Sequence, residues 1–168
     1  MACVSPFHKC FLFPGNPLTV ATLHPRFPPP LEAGARSILV TGSAGFIGYH
    51  ISRALVEQWG ATVVGLDNFN DYYDVQLKLD RTNELIKVGV LPYRGDVCDS
   101  TLLSYLFSKY KFTDVVHLAA QAGVRHSLEK PLNFIQANIQ CFLTLLDTLI
   151  HHKVCTIHLI RQCQSKVG

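Results

Sequence analysis

From Ser37 onward the chain alternates short, unbroken apolar runs with longer stretches in which apolar residues recur every three or four positions. Ile38–Val40, Ala61–Leu66, Val90–Arg94, Asp114–Leu118 and Val154–Ile160 predict five strands. Between them, Phe46 to about Gln58, Val75–Lys87, Asp99–Tyr110 and Pro131–His151 predict helices. In the third of these helices Leu102, Leu103, Leu106, Phe107 and Tyr110 share one face. Strands that are apolar throughout, rather than on alternate residues, are covered on both sides, as in a parallel sheet between two layers of helix. Right-handed crossovers then give a doubly wound α/β domain.

Residues 1–35 break this pattern. They hold seven of the nine prolines, including Pro28-Pro29-Pro30, and keep neither period. A Pro-rich disordered leader is expected there, followed by a domain over residues 36–160 and an atypical tail over 161–168. Pro14 and Pro17 interrupt the one apolar patch near the N-terminus, which lacks a basic-then-apolar plan, so a secretion signal is not expected. Glu32 is the single acid before residue 36, which leaves an organellar transit peptide open beside plain disorder.

Composition narrows the picture further. The 168 residues are 48% hydrophobic and 16% charged, the balance of a folded globule. No run reaches the ~18 apolar residues of a membrane span. A net charge of +3 without a dense Lys/Arg block excludes a dedicated nucleic-acid surface. Cys3, Cys10, Cys98, Cys141, Cys155 and Cys163 form no Cys-x-x-Cys pair, so reduced thiols in a cytoplasmic protein are expected. Cys98 and Cys141, in apolar contexts, are expected simply to pack. No metal is expected either: His151 and His152, adjacent on a helix, point about 100° apart.

The chemistry lies in Thr41-Gly42-Ser43-Ala44-Gly45-Phe46-Ile47-Gly48, with glycines spaced G-x-x-G-x-x-G between a buried strand and a helix. The first glycine permits a tight turn, the second lets backbone approach a pyrophosphate, and the third lets the helix pack close to the sheet. The helix then offers free N–H groups and the positive end of its dipole to phosphate. Asp67 ends the second strand, where a carboxylate accepts from ribose hydroxyls and repels a 2′-phosphate, favouring NAD over NADP. These features place a dinucleotide at residues 42–48 and Asp67.

At this point the chain resembles the extended short-chain dehydrogenase/reductase family, and within it the nucleotide-sugar epimerases. The resemblance covers roughly Ser37 to Val154. Beyond the glycine turn it rests on Gly95-Asp96-Val97, on His117-Leu118-Ala119-Ala120 and on Asn138. The runs Asp67–Asp74 (DNFNDYYD) and Gln121–Ser127 (QAGVRHS) are similar to UDP-glucuronate 4-epimerases. The resemblance implies NAD held by Gly42, Ala44, Gly45, Phe46, Ile47, Gly48, Asp67, Asn68, Asp96, Val97, Leu118, Ala119, Ala120 and Gln121. It also implies a UDP-sugar substrate (UDP-glucuronate or UDP-galacturonate), with Arg125 near its anionic end, and a homodimer in full-length relatives. The activity implied is inversion at C4 through transient oxidation of the sugar by bound NAD.

The base for that chemistry in the family is a Tyr with a Lys four residues on, paired with a Ser or Thr after the fifth strand. The chain has no such segment at that place. Its one Tyr-x-x-x-Lys, Tyr105 to Lys109, precedes the fourth strand on the polar side of its helix. No catalytic residue is therefore assigned, and a partial Rossmann domain, inactive alone, is expected. A non-catalytic NAD-binding module and a fragment of a sibling dehydratase or decarboxylase are the alternatives. With one choice of synonymous codons, Leu159–Gln164 read in the next frame gives Leu-Tyr-Ala-Ser-Val-Ser, close to the missing Ser-rich run. A frameshifted tail is one reading of this end.

Overall fold

Strands β1 (Ser37–Thr41), β2 (Thr62–Asp67), β3 (Leu91–Arg94), β4 (Asp114–His117) and β5 (Thr156–Leu159) form one parallel sheet in the order β3-β2-β1-β4-β5. This computed structural model describes residues 36–154 and 156–159. The expected leader, the tail beyond Leu159 and Cys155 lie outside the described residues.

The helices are α1 (Phe46–Glu57), α2 (Val75–Lys87), α3 (Ser100–Tyr110), α4 (Val124–Glu129), α5 (Pro131–Ile135) and α6 (Cys141–His151). Successive residues of β1 point to opposite faces, and both faces are buried. Ile38 and Val40 pack with Ile51 and Leu55 of α1 and Leu85 of α2. Leu39 packs on the other side with Leu103, Leu106 and Phe107 of α3 and with Leu145 and Leu149 of α6. Each such side chain contributes about 1.5–3 kcal/mol by leaving water, which is why the strand sequences carry no polar alternation. The start of α2 is fixed by Asp74, whose carboxylate accepts the Gln76 N–H at 2.8 Å. Asp99 does the same for α3, accepting the Leu102 N–H at 2.9 Å.

Two local features depart from the sequence pattern. The stretch 131–151 is interrupted by a π-helical turn over Gln136–Gln140 between α5 and α6. The short helix α4 follows Gly123, whose φ is +106°, and its six residues are too few to show a hydrophobic face. A third departure is covalent. Cys98 and Cys141 do not pack as separate thiols but are joined as a disulfide, with Cα atoms 4.2 Å apart. The α3 crossover brings the loop after β3 onto the first residue of α6, so 43 residues of separation hide the pair from any spacing argument. Among the described residues no helix is long and apolar enough to cross a membrane.

Candidate functional site

The crossovers leaving β1 and β4 run to opposite faces, the arrangement that in doubly wound sheets opens a crevice at the C-terminal ends of the two neighbouring strands. The turn out of β1 closes it. The Gly42 N–H donates to the Leu66 carbonyl at 2.7 Å, tying the turn to the end of β2. Gly42 has φ +72°, and a Cβ there would lie 2.8 Å from the Ala119 nitrogen, so only glycine meets both demands. A Cβ on Gly48 would overlap the Gly42 carbonyl, because α1 is packed directly onto the turn. At Gly45 the added atom would stand 3.1 Å from the same carbonyl oxygen.

Gly45 is also the residue that caps α1, and it brings no side-chain acceptor; the first turn of the helix holds no acid. The first intrahelical bond runs from the Tyr49 N–H to the Gly45 carbonyl at 2.9 Å. The N–H groups of Phe46, Ile47 and Gly48 precede it and have no carbonyl within the helix to meet. An uncapped helix start behind a surface that side chains cannot fill is an anion cradle.

Asp67, 8% exposed, sits beside it. One carboxylate oxygen accepts the Ala44 N–H at 3.1 Å, and the other accepts the Phe69 N–H at 2.9 Å. Lys78 Nζ lies 3.8 Å from Asp67 and donates to the carbonyl and side-chain oxygen of Asn70 at 2.9 and 2.8 Å. Arg81, one turn further along α2, donates to the Ala44 carbonyl at 3.4 Å and lies over the Phe46 ring. Sequence reasoning passed over Lys78 and Arg81. The available signal was a lysine on the helix face that also carries Leu85, a place where the 3.6 period calls for an apolar residue.

Around the rim, Asn68 Nδ2 donates to Asp96 at 3.0 Å, and the Cys98 N–H donates to the other Asp96 oxygen at 2.8 Å. Val97 turns into the core beside Leu66 and Leu103. At the end of β4, the Thr41 hydroxyl accepts the Leu118 and Ala119 N–H groups at 3.3 Å each and lies 2.7 Å from His117 Nδ1. Ala120 is exposed, and Gln121 is held by Asn138: its N–H donates to Asn138 Oδ1 at 2.8 Å, and its carbonyl accepts from Nδ2 at 3.1 Å. Asn138 sits in the π-helical turn, a device common where a helix must present a group to a site.

The sequence-predicted residues from three strand ends and the α1 start therefore lie together at the C-terminal edge of the sheet, except Val97, whose side chain belongs to the core. Arg125 lies in α4, and its side chain is outside the described residues. Tyr105 and Lys109 lie elsewhere, on the outer side of α3 against the edge strand β3. There Lys109 Nζ donates to the Tyr93 and Tyr105 hydroxyls at 3.0 and 3.1 Å. Those hydrogen bonds, Tyr93 first, raise the Lys109 ammonium well above its ordinary value.

Residues 39–166 match the family model described as GDP-mannose 4,6 dehydratase. UDP-glucuronate 4-epimerase 3 of Arabidopsis thaliana is 51% identical over 111 residues, which are 66% of this chain and 26% of that protein. The UDP-glucuronate 4-epimerase of Thermodesulfobacterium geofontis is 45% identical over 112 residues, 66% of this chain and 34% of that protein. Among solved structures, a UDP-glucuronic acid 4-epimerase from Bacillus cereus, in complex with UDP-4-deoxy-4-fluoro-glucuronic acid and NAD, superposes with a TM-score of 0.67 at 34% identity. That match covers 73% of this chain and 39% of the other. A UDP-glucose 4-epimerase from Bifidobacterium longum in complex with NAD+ and UDP gives 0.65 at 32% identity, covering 73% of this chain and 36% of the other. The chain thus spans about a quarter of the length of the plant relative.

Proposed function

The chain belongs to the family described as GDP-mannose 4,6 dehydratase, a family of NAD-dependent nucleotide-sugar epimerases and dehydratases, and within it we propose that residues 36–160 are the NAD-binding portion of a UDP-glucuronate 4-epimerase-like protein. The observation that carries this reading is the cradle itself: glycine positions 42 and 48 that exclude a Cβ, an uncapped α1, and a buried carboxylate beside them. Such a surface fits a dinucleotide. Pyrophosphate belongs at Gly42, Ala44, Gly45 and the N–H groups of Phe46, Ile47 and Gly48. The adenosine ribose belongs at Asp67, whose oxygens each keep a lone pair after accepting one N–H, with Asn68 alongside. Adenine belongs beside Asp96 and Val97, and the nicotinamide end along Leu118–Gln121.

Bound NAD supplies a reversible acceptor for the hydride at C4 of a UDP-sugar. UDP-glucuronate is the proposed sugar, on the DNFNDYYD and QAGVRHS runs, with Arg125 toward its anionic end. The position of Tyr105 and Lys109, on the outer side of α3, supports a chain that binds the cofactor without turning the sugar over. We also place Leu128, Leu132, Ile135, Ile139 and Leu143, an exposed apolar row along α4 to α6, in the pairing surface of the whole protein.

Calorimetric titration of the full chain with NAD and NADP tests the cofactor site. NAD binding is expected, weaker NADP binding, and a loss of at least about tenfold in Asp67→Asn, since hydrogen bonds to charged groups contribute about 1.5–3 kcal/mol. A flat titration at millimolar NAD refutes the reading. Incubation with UDP-glucuronate and NAD is expected to give no UDP-galacturonate; its appearance refutes the no-turnover proposal.

A further inference from the structure

We propose that Cys98 and Cys141 form a reversible thiol–disulfide site that sets the affinity of the dinucleotide crevice through Asp96. The inference rests on the cofactor reading above for its effect on binding, and on the cysteine geometry alone for the site itself.

Cys98 lies two residues after Asp96 in the loop leaving β3, and its N–H is one of the two hydrogen bonds that orient that carboxylate, at 2.8 Å. Asn68 supplies the other from the end of β2. Cys141 is the first residue of α6, and its Sγ lies 3.7 Å from the same Asp96 oxygen. In the disulfide that sulfur carries no hydrogen, so the contact becomes a hydrogen bond only when Cys141 is a thiol. Oxidation therefore removes a thiol donor from Asp96 and ties the Asp96 loop to a rigid helix; reduction does the reverse. The crevice described here, with Asp96 held between Asn68 and the Cys98 N–H, is that of the cross-linked state. A loop fixed in its bound arrangement binds more tightly because less ordering remains to be done.

The reactant is a low-molecular-weight disulfide such as oxidised glutathione. Cys98 is half-buried and Cys141 is 7% exposed, so Cys98 is the sulfur that the reactant reaches. The Cys98 thiolate attacks one glutathione sulfur, forming a mixed disulfide and releasing one glutathione thiolate. The Cys141 thiolate then attacks the Cys98 sulfur and expels the second. Two electrons pass from the cysteine sulfurs to glutathione, and the two thiol protons go to the released glutathione thiolates.

The full chain is equilibrated in glutathione buffers of graded ratio with EDTA, with and without NAD, then alkylated and peptide-mapped; NAD affinity is measured at both redox extremes. A peptide joining Cys98 to Cys141 is expected, together with about fivefold tighter NAD binding when oxidised, at the low end of ordinary coupling between sites. By reciprocity NAD then shifts the couple by about 20 mV. Cys98→Ser, which keeps the Cys141 thiol beside Asp96, is expected to bind NAD at the reduced-state affinity in every buffer. Equal affinity in both redox states overturns the coupling. NAD binding without the cross-linked peptide overturns the redox site and leaves the cofactor reading intact. The cross-link without NAD binding in either state overturns the cofactor reading and the coupling together.

Discussion

Three glycine-to-alanine changes separate the two demands that the phosphate turn makes on its backbone. Gly60 has φ +61° and nothing within 4 Å of an added Cβ, so alanine there meets only the left-handed backbone, at about 1–2 kcal/mol. At Gly48 the backbone is helical and alanine gains about 1 kcal/mol of helix propensity. The new methyl, however, overlaps the Gly42 carbonyl, a backbone group that cannot rotate aside. Overpacking of this kind costs about 1–3 kcal/mol, so the net loss is about 0–2 kcal/mol. Gly42 has both problems, φ +72° and a Cβ 2.8 Å from the Ala119 nitrogen, and its loss is about 2–5 kcal/mol, a large share of an ordinary domain's 5–15 kcal/mol. Urea denaturation followed by the single tryptophan, Trp59, is expected to rank Gly42→Ala as the most damaging. Binding separates the variants further. Gly60→Ala leaves NAD affinity unchanged, whereas Gly48→Ala moves the α1 N–H groups off the phosphates and loses at least about tenfold, since misplacement by about 1 Å costs that much or more. A Gly48→Ala chain that binds NAD like the parent would refute the argument that α1 rests on the turn.

Asn138→Ala removes both hydrogen bonds to the Gln121 backbone, for a loss of about 2 kcal/mol and faster hydrogen exchange at the Gln121 amide; unchanged exchange would show that the π-helical turn does not hold that segment. Asp114 responds to pH: burial pushes its carboxyl up, but hydrogen bonds from His158 and Thr113 and the charge of Arg36 outweigh burial and leave it below the ordinary 3.8. Its contribution is complete above 3.8 and disappears as the pH falls through the lower folded value. Asp114→Asn is thus expected to flatten the acid limb of stability against pH below about 4, and an unaltered limb in urea titrations refutes the assignment.

Local physics explains which parts of this fold were readable from the chain. The three central strands, β1, β2 and β4, were legible because the sheet is covered on both faces there, so burial writes itself into consecutive residues such as Leu39 and Val40. The glycine turn was legible because a left-handed φ and a missing Cβ each restrict the residue at a single position. The Cys98–Cys141 bond, the approach of Lys78 to Asp67 and the clamp of Asn138 on Gln121 depend on how helices dock, which no spacing reports. Asn138 was noticed through family resemblance, but its work on the Gln121 backbone emerged only from the structure.

The bond from the Ala44 N–H to Asp67 shows why two weak sequence signals become one strong one. A G-x-x-G-x-x-G spacing is compatible with many turns, and an acid at a strand end with many caps. Here the carboxylate takes the Ala44 N–H at 3.1 Å, so the acid at the end of β2 shapes the glycine turn at the end of β1. The register of the two strands, with Thr41 opposite Leu66, sets Asp67 level with Gly42, the first residue of the turn. The acid's distance along the chain is thus the length of the crossover through α1 that returns β2 to the same level. Strand, glycines, helix and acid form a single hydrogen-bonded unit, and an insertion in α1 that shifts this register would remove the carboxylate from the turn with every motif residue still present.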